Sequence, residues 1–247
     1  MVKPHQRPEP IKRRPSRLGR AVFLCTLIGL IWGGYQAIYH PDSPLPREWN
    51  PTKPLEITDP VTPLTAWKLE RALASTQSCL AVLETTANFT RMNDLETSET
   101  CHIKGRVDLR GVGDAALAPI ETRCAIAVRL AMWEHHALQP AALEQLGANI
   151  TQIDHIGSYN CRRIRGSAER WSKHATADAI DISGFRLSDG TDLRLIKDWD
   201  DGGPKAAFLR RARDSACEWF RVTLSPDYNS LHADHFHLQS NGWGLCR

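Results

Sequence analysis

The sequence lacks the spacings that mark two common kinds of zinc site. Its seven cysteines include no Cys-x-x-Cys pair, which argues against a zinc site built from thiolates. No H-E-x-x-H motif occurs either. Glu134, His135 and His136 are adjacent instead, and we interpret them as the solvated end of a helix. Internal repeats are also absent, which excludes a repeat architecture.

The chain also has little excess charge, with a formal net charge of only +3. Seven basic side chains lie within the first twenty residues: Lys3, Arg7, Lys12, Arg13, Arg14, Arg17 and Arg20. The remainder is therefore close to neutral or slightly acidic. This balance argues against a nucleic-acid-binding surface on the main part of the chain.

Residues 21–39 contain no charged side chain. A helix needs roughly 20 apolar residues to cross a bilayer, and basic residues before it favour an N-terminus in the cytoplasm. The alternative, a cleaved signal peptide, usually has an apolar region of about 7–15 residues followed by a cleavage site with small residues. No such site is evident. We therefore predict a basic cytoplasmic tail over residues 1–20, a transmembrane anchor over 21–39 and an exported remainder.

Residues 40–63 are rich in proline. Such a segment stays extended, so it is predicted to be a spacer between the membrane and a folded domain over residues 64–247.

Export would place the cysteines that follow the apolar stretch in an oxidising compartment. Cys25 lies in the apolar stretch, and six others follow: Cys79, Cys101, Cys124, Cys161, Cys217 and Cys246. An even number in an oxidising compartment predicts up to three disulfides. The six can pair in many ways, and the sequence does not choose between them.

The folded domain shows helical patterns first and strand patterns later. Helices are predicted over residues 64–84, 124–138, 140–147 and 206–224, with the second ending before Pro140. Extended segments are predicted over 101–112, 150–159 and 235–239, and a hairpin joins 178–187 to 192–199. This order predicts an α+β domain with an antiparallel sheet.

The segment "LHADHFHLQ" (231–239) carries three histidines and an aspartate within six residues. A solvated turn needs none of them, and a packed core rarely holds three. In the predicted strand, His235 and His237 share one face. These residue types in this density indicate a metal site.

A second segment, "SKHATADAIDISGF" (172–185), supplies complementary groups. Ile180 and Ile182 are expected to face the core, so Asp181 faces the opposite way. If the two strands are neighbours, imidazole and carboxylate groups converge. Two histidines and one carboxylate, with an open fourth position, are typical of catalytic zinc sites.

The upstream segment resembles a motif of D-Ala-D-Ala metallopeptidases, S-x-H-x-x-G-x-A-x-D. Ser172, His174, Ala179 and Asp181 fit this motif, and Ala177 stands in place of the glycine.

The downstream segment resembles motifs of two zinc-peptidase subgroups. The E-x-W-H motif of D-Ala-D-Ala metallopeptidases matches "D-H-F-H", with Asp234 for Glu and Phe236 for Trp. Penicillin-insensitive murein endopeptidases carry H-x-x-H-x-H instead, which His232, His235 and His237 match fully.

The broadest resemblance is to the extensin-like C-terminal domain family of bacteria, over roughly residues 73–247. It is carried by "YNCRR" (159–163), "SKHATADAIDISGF", "DW" (198–199), "HADHFHL" (232–238) and "CR" (246–247). The resemblance implies a hedgehog/DD-peptidase-like fold, a small antiparallel sheet with flanking helices and zinc at its centre. It also implies that the zinc ligands are His174, Asp181 and His237.

The resemblance leaves the catalytic base open. Asp234 aligns with the glutamate of one subgroup and His232 with a histidine of the other. Strand alternation would turn Asp234 away from His237 unless the strand begins near His235. We favour Asp234 as the base, with His232 or His235 hydrogen-bonded to the transition state.

Two further residues complete the predicted site. Arg162 is the candidate for binding a substrate carboxylate or the developing oxyanion, because arginine presents a forked pair of donors. Ser172 is expected to support the ligands from behind rather than to touch substrate.

Three functions fit these patterns. The favoured one is a zinc metallopeptidase of the bacterial envelope, anchored in the inner membrane by one helix, with its periplasmic domain cutting D-Ala-containing cross-links or stem peptides of peptidoglycan. A non-haem Fe(II) oxygenase uses a similar triad, but its first histidine and carboxylate are usually closer in sequence. A zinc-containing module that binds the cell wall without turnover is the third, since Asp234 and Ala177 depart from the motifs.

Overall fold

The computed structural model describes residues 17–247. The described residues divide into two compact units, the first ending at Lys53 and the second covering residues 54–247. The first sixteen residues of the predicted cytoplasmic tail lie outside the described part.

The described part of the first unit consists of a long helix and a folded segment after it. Helix α1, Arg17–Tyr39, has 23 residues and no buried side chain. It is long and apolar enough to cross a membrane, which confirms the predicted apolar helix, although a signal sequence would have the same properties.

The chain after α1 folds against the carbonyl groups at the end of that helix. Asn50 Nδ2 donates to the Ile38 carbonyl at 3.1 Å, and the Ser43 hydroxyl donates to the Ala37 carbonyl. These groups satisfy carbonyls that a helix end leaves without an intrahelical partner. Residues 43–52 therefore form a cap on the helix, not the extended spacer that the prolines predicted.

A short 3₁₀ helix, Arg47–Trp49, lies in the first unit, and the second unit contains the other regular elements. Its helices are α2 (Thr65–Leu73), α3 (Thr76–Leu83), α4 (Cys124–Trp133), α5 (Gln139–Leu146), α6 (Leu195–Asp198) and α7 (Pro204–Trp219). Its strands are β1 (Ala87–Arg91), β2 (Leu95–Glu96), β3 (His102–Ile103), β4 (Arg106–Val112), β5 (Ala115–Arg123), β6 (Ile150–Gly157), β7 (Ala179–Leu187), β8 (Asp192–Arg194), β9 (Val222–Leu224), β10 (Phe236–Gln239) and β11 (Leu245–Cys246). Short 3₁₀ turns occupy Lys173–Thr176 and Ser230–His232, and a π-helical turn occupies Glu134–Leu138.

Within the described residues, nine strands form one sheet in the order β1-β4-β5-β6-β7-β10-β9-β11, with β8 also paired to β7. Most neighbours are antiparallel, but β5 pairs with β6 and β9 pairs with β11 in parallel. The predicted α+β class and the β7–β8 hairpin are confirmed, but the second strand ends at Arg194 and helix α6 occupies most of the rest of the predicted strand over residues 192–199. The sheet is larger than the small one predicted, since strands β1, β5, β9 and β11 were not anticipated. It is also mixed, because two of its strand pairs are parallel.

Helix α7 packs against α4 and α5, and α4 also lies on β4 and β5. Trp133 is fully buried, and its ring meets Phe185 and Phe220 edge-on at centroid distances of 6.0 and 6.1 Å. On β7, Ile180 and Ile182 are completely buried. The predicted alternation along β7 is thus confirmed, and it turns Asp181 away from this core.

Three predicted helices have different bounds in the structure. The one expected over residues 206–224 is α7, which ends at Trp219, and strand β9 follows it. The helix expected over residues 64–84 is interrupted at Ser75, whose hydroxyl accepts from Ser78 N at 3.1 Å and so begins α3 as its N-cap. The helix expected to end before Pro140 instead continues through the π-helical turn into α5. Pro140 lies in the first turn of α5, where its missing N–H is tolerated.

Glu134 is buried, so the solvated helix end predicted around it is wrong. Its carboxylate accepts from Asp114 N at 3.1 Å and from Gln139 Nε2 at 2.7 Å. Burial raises the pKa of Glu134 despite these hydrogen bonds. Nearby, His136 stacks on Trp219, so this segment is part of the packing.

The proline-rich segment also contributes to the second unit. Leu55 and Ile57 are 6% and 1% exposed and belong to the hydrophobic core, and His136 Nε2 lies 2.7 Å from the Ile57 carbonyl. The compact unit therefore begins at residue 54, ten residues before the predicted boundary.

Six of the cysteines form three disulfides, Cys79–Cys124, Cys101–Cys161 and Cys217–Cys246. Cys25 is free and exposed on α1. The predicted number of disulfides is confirmed, and the structure supplies the pairing that the sequence left open.

Candidate metal centre

The candidate metal centre begins with the register of two neighbouring strands. Strands β7 and β10 are antiparallel, and Asp181 lies directly opposite His237. Directly opposite residues project from the same face of a sheet. His237 Nδ1 accordingly lies 2.8 Å from Asp181 Oδ1.

The 3₁₀ turn before β7 brings a third group to this pair. His174 Nε2 lies 3.2 Å from Asp181 Oδ2 and 3.1 Å from His237 Nδ1. The ligand atoms of the three residues all lie within 4.8 Å of one another. A tetrahedral zinc ion with bonds of about 2.0–2.2 Å holds its donors roughly 3.3–3.6 Å apart, so small movements would admit it.

A backbone carbonyl fixes the orientation of His174. Its Nδ1 lies 2.7 Å from the carbonyl oxygen of Ser158. A carbonyl can only accept, so Nδ1 carries a proton, and Nε2, which is directed at Asp181 and His237, is the ring atom left to bind a metal ion. Ser158 is itself buried and held by Thr122, whose hydroxyl is 2.7 Å from the Ser158 hydroxyl.

A side chain supports the other histidine. The Gln239 amide nitrogen lies 2.7 Å from His237 Nε2. Rotating this amide by half a turn would present its oxygen to an Nε2–H group and leave Nδ1 free to bind a metal ion. Supporting hydrogen bonds of this kind are usual around histidine ligands.

The electrostatics place the carboxylate and the imidazole in their metal-binding forms. Burial by itself would raise the pKa of Asp181, but hydrogen bonds to His174 and His237 outweigh it and hold that pKa well below its usual range. Burial lowers the pKa of His237. Metal binding requires an ionised carboxylate and neutral imidazole ligands, and these shifts favour those forms at Asp181 and His237.

His235 and Asp234 form a pair beside these ligands. His235 Nδ1 lies 2.7 Å from Asp234 Oδ1, and its Nε2 lies 3.6 Å from Asp181 Oδ1. The Asp234 side chain is 56% exposed. Strand β10 begins at Phe236, so the predicted strand began one residue early, and His235 precedes it.

His232 lies beside both His235 and His237. Its Nδ1 lies 2.7 Å from Asn229 Oδ1, and its ring centroid is 5.3 Å from that of His235 and 5.7 Å from that of His237. Burial, followed by repulsion from His237 and His235, lowers the pKa of His232 to about 4. His232 is therefore neutral at ordinary pH.

A cleft of about 700 Å³ gives access to these groups. Its lining includes every residue singled out in the sequence for the site: Arg162, Ser172, His174, Asp181, His232, Asp234, His235 and His237. Arg162 is exposed there. The Ser172 hydroxyl accepts from the backbone N–H of His174 at 3.3 Å, so it shapes the turn that carries the ligand.

Sequence reasoning missed Ser158, Gln239 and Asn229. Gln239 could have been found, because it lies two residues after His237 and therefore on the same face of β10. Ser158 supports His174 through its backbone carbonyl, and Asn229 lies in an irregular loop. No side-chain pattern identifies either of them.

Ala177 ends the turn that carries His174 with a φ of +49° and a ψ of +29°. This left-handed conformation costs a residue with a Cβ atom about 1–2 kcal/mol. Ala177→Gly is therefore expected to raise the free energy of unfolding by about 1 kcal/mol, once the greater flexibility of unfolded glycine is included. Urea unfolding would measure the change.

The matched control is Ala175→Gly, in the same turn and equally buried but without a positive φ. That change should lower stability. A loss of stability in both variants would contradict the strain assigned to residue 177.

Comparison with known proteins gave one match. The family model for the Extensin-like protein C-terminus matches residues 77–247. No curated protein and no solved structure matches the chain significantly. The matched range contains the three candidate ligands, the groups beside them and all three disulfides. The chain belongs to the Extensin-like protein C-terminus family.

Proposed function

We propose that residues 54–247 form a zinc-dependent peptidase that hydrolyses peptide bonds of bacterial peptidoglycan. The observation that carries this proposal is the convergence of His174, Asp181 and His237 on the lining of an open cleft. The motif similarity to D-Ala-D-Ala metallopeptidases and murein endopeptidases supports it. A hedgehog/DD-peptidase-like relationship of the fold is part of the same proposal.

The residues present fit a zinc ion. Two imidazole nitrogens and one carboxylate oxygen are the protein ligands of one common class of catalytic zinc site. Once deprotonated, His174 Nε2 and Asp181 Oδ2, which lie 3.2 Å apart, would both present lone pairs to a cation bound between them. A zinc ion bound there supplies Lewis acidity and lowers the pKa of a coordinated water to about 7.

The neighbouring side chains supply the acid–base chemistry in this proposal. Asp234 accepts a hydrogen bond from His235 Nδ1–H, so His235 Nε2, which is directed toward Asp181, is the atom left to act as a proton acceptor. His235 is thus better placed than Asp234 to take a proton from the attacking water and return it to the leaving amine. Asp234 then positions the base, as the third member of other catalytic triads does.

The proposed location follows from the chain's two units. Helix α1 would anchor the protein in the inner membrane, and the second unit would act in the periplasm. The three disulfides support this placement, because such bonds persist in oxidising compartments.

The test is digestion of peptidoglycan by the purified second unit loaded with zinc. We expect new muropeptides by mass spectrometry, their loss on adding a chelator, and their return when zinc is restored. Bound peptides without any new product would favour a wall-binding module that has lost turnover. Activity that needs iron and oxygen would favour an oxygenase.

A further inference from the structure

One side of the cleft is a short hairpin, residues 162–172, which we call the cleft hairpin. Arg163 and Trp171 pair as an antiparallel bridge. Ile164 N donates to the Arg170 carbonyl at 2.9 Å, and Ser172 N donates to the Arg162 carbonyl at 3.1 Å. The disulfide Cys101–Cys161 fastens the residue that precedes it. The hairpin therefore has a defined shape.

Four basic side chains on and just after this hairpin line the cleft: Arg162, Arg165, Arg170 and Lys173. All four are exposed. None of them forms an ion pair within the described part of the chain. Arg163 differs, because its guanidinium lies 4.9 Å from the Trp171 ring centroid and it donates to the Ala168 carbonyl. Arg163 is thus engaged in contacts within the hairpin, whereas the charges of the other four side chains have no counter-ion in the described part of the chain.

The acidic side chains of the cleft do not balance these cations. Asp181 and Asp234 are the only carboxylates in the described lining. Asp181 is held by His174 and His237, and Asp234 by His235. A cleft lined with one sign of charge attracts ligands of the opposite sign and speeds their association.

A second part of the cleft lining is apolar. Leu224, Tyr228 and Leu231 face the same cleft, and Tyr228 and Leu231 are 44% and 47% exposed. Apolar side chains that line a cleft can bury apolar groups of a bound ligand. The lining therefore combines cationic and apolar surface around the candidate ligands.

We propose that the cleft binds an extended peptide that carries at least two carboxylates. Arg165, Arg170 and Lys173 bind carboxylates away from the bond to be cut, and Leu224, Tyr228 and Leu231 contact its small apolar side chains. The assignment of this peptide as a substrate rests on the proposed peptidase function. The charge preference for binding does not depend on turnover.

Binding of two labelled probes tests the proposal. One is a peptidoglycan stem peptide with free carboxylates, and the other is the same peptide with its carboxylates amidated. Fluorescence anisotropy would be measured at low and high salt for the wild type, Arg165→Gln/Arg170→Gln and Arg211→Gln. Arg211 is exposed on α7 and does not line the cleft, so it is the matched control.

The free peptide should bind wild type and Arg211→Gln equally, and the double variant about 5- to 30-fold more weakly, as expected for two screened charge pairs. High salt should reduce this difference. The amidated peptide should bind all three proteins weakly and alike. Thermal unfolding of the variants would show that their fold is retained.

Equal binding of the two peptides to wild type, or an unchanged affinity of the double variant, would overturn the proposal. If either outcome were found and both peptides were still cleaved, the proposed peptidase function would remain supported although the charge preference would not. Charge-dependent binding without any cleavage would support the binding inference and count against the peptidase.

Discussion

Replacing His237 with alanine should weaken zinc binding by more than about 100-fold and remove metal-dependent hydrolysis. Loss of a group that only supports a ligand typically costs about 10–100-fold in metal affinity, and here a ligand itself is removed. The two groups left, His174 and Asp181, lie 3.2 Å apart and cannot complete a three-ligand site. Competition with a chromophoric chelator would measure the affinity, and muropeptide analysis would measure the activity.

The matched control for this experiment is His135→Ala. His135 is exposed on the π-helical turn and does not line the cleft. It should keep wild-type affinity and activity. A His237→Ala protein that folds normally and still binds zinc as tightly as wild type would contradict the proposed centre.

Replacing His235 with alanine should lower kcat by about 10²–10⁴-fold, the usual contribution of a positioned acid–base group. Zinc content should remain unchanged, because His235 is not one of the three converging ligands. Asp234→Ala should have a smaller effect, since the His235 imidazole would remain and lose only the 2.7 Å hydrogen bond that orients it. Steady-state kinetics and metal analysis of both variants would test this order.

The reverse order of effects would identify Asp234 as the base, as its alignment with a glutamate suggested. Loss of zinc from His235→Ala would show instead that this histidine is a fourth ligand. Either result would contradict the role assigned to the Asp234–His235 pair.

The part of the site that follows strand periodicity could be predicted from the sequence. The alternation of Ile180, Asp181 and Ile182 placed the carboxylate away from the core, because successive strand residues face opposite sides. The pairing of Asp181 with His237 could not be derived in this way. It depends on the neighbour relation of two strands that are far apart in sequence, and only motif similarity indicated it.

Other features depended on local chemistry that competes with periodicity. Ser75 interrupts an apolar helical pattern because its hydroxyl caps the next helix. Pro140 does not end a helix because a π-helical turn precedes it. The cleft hairpin carries no alternating pattern, so its shape comes from a disulfide and a single bridge.

The two candidate histidine ligands are supported by different parts of the chain, and this bears on how the protein can evolve. The support of His174 comes from the backbone of residue 158, so exchanging that side chain leaves the hydrogen-bond acceptor in place. The support of His237 comes from the Gln239 side chain, which one codon change can replace. Natural variants that differ in ion preference should therefore diverge at position 239 while the acceptor at 158 persists.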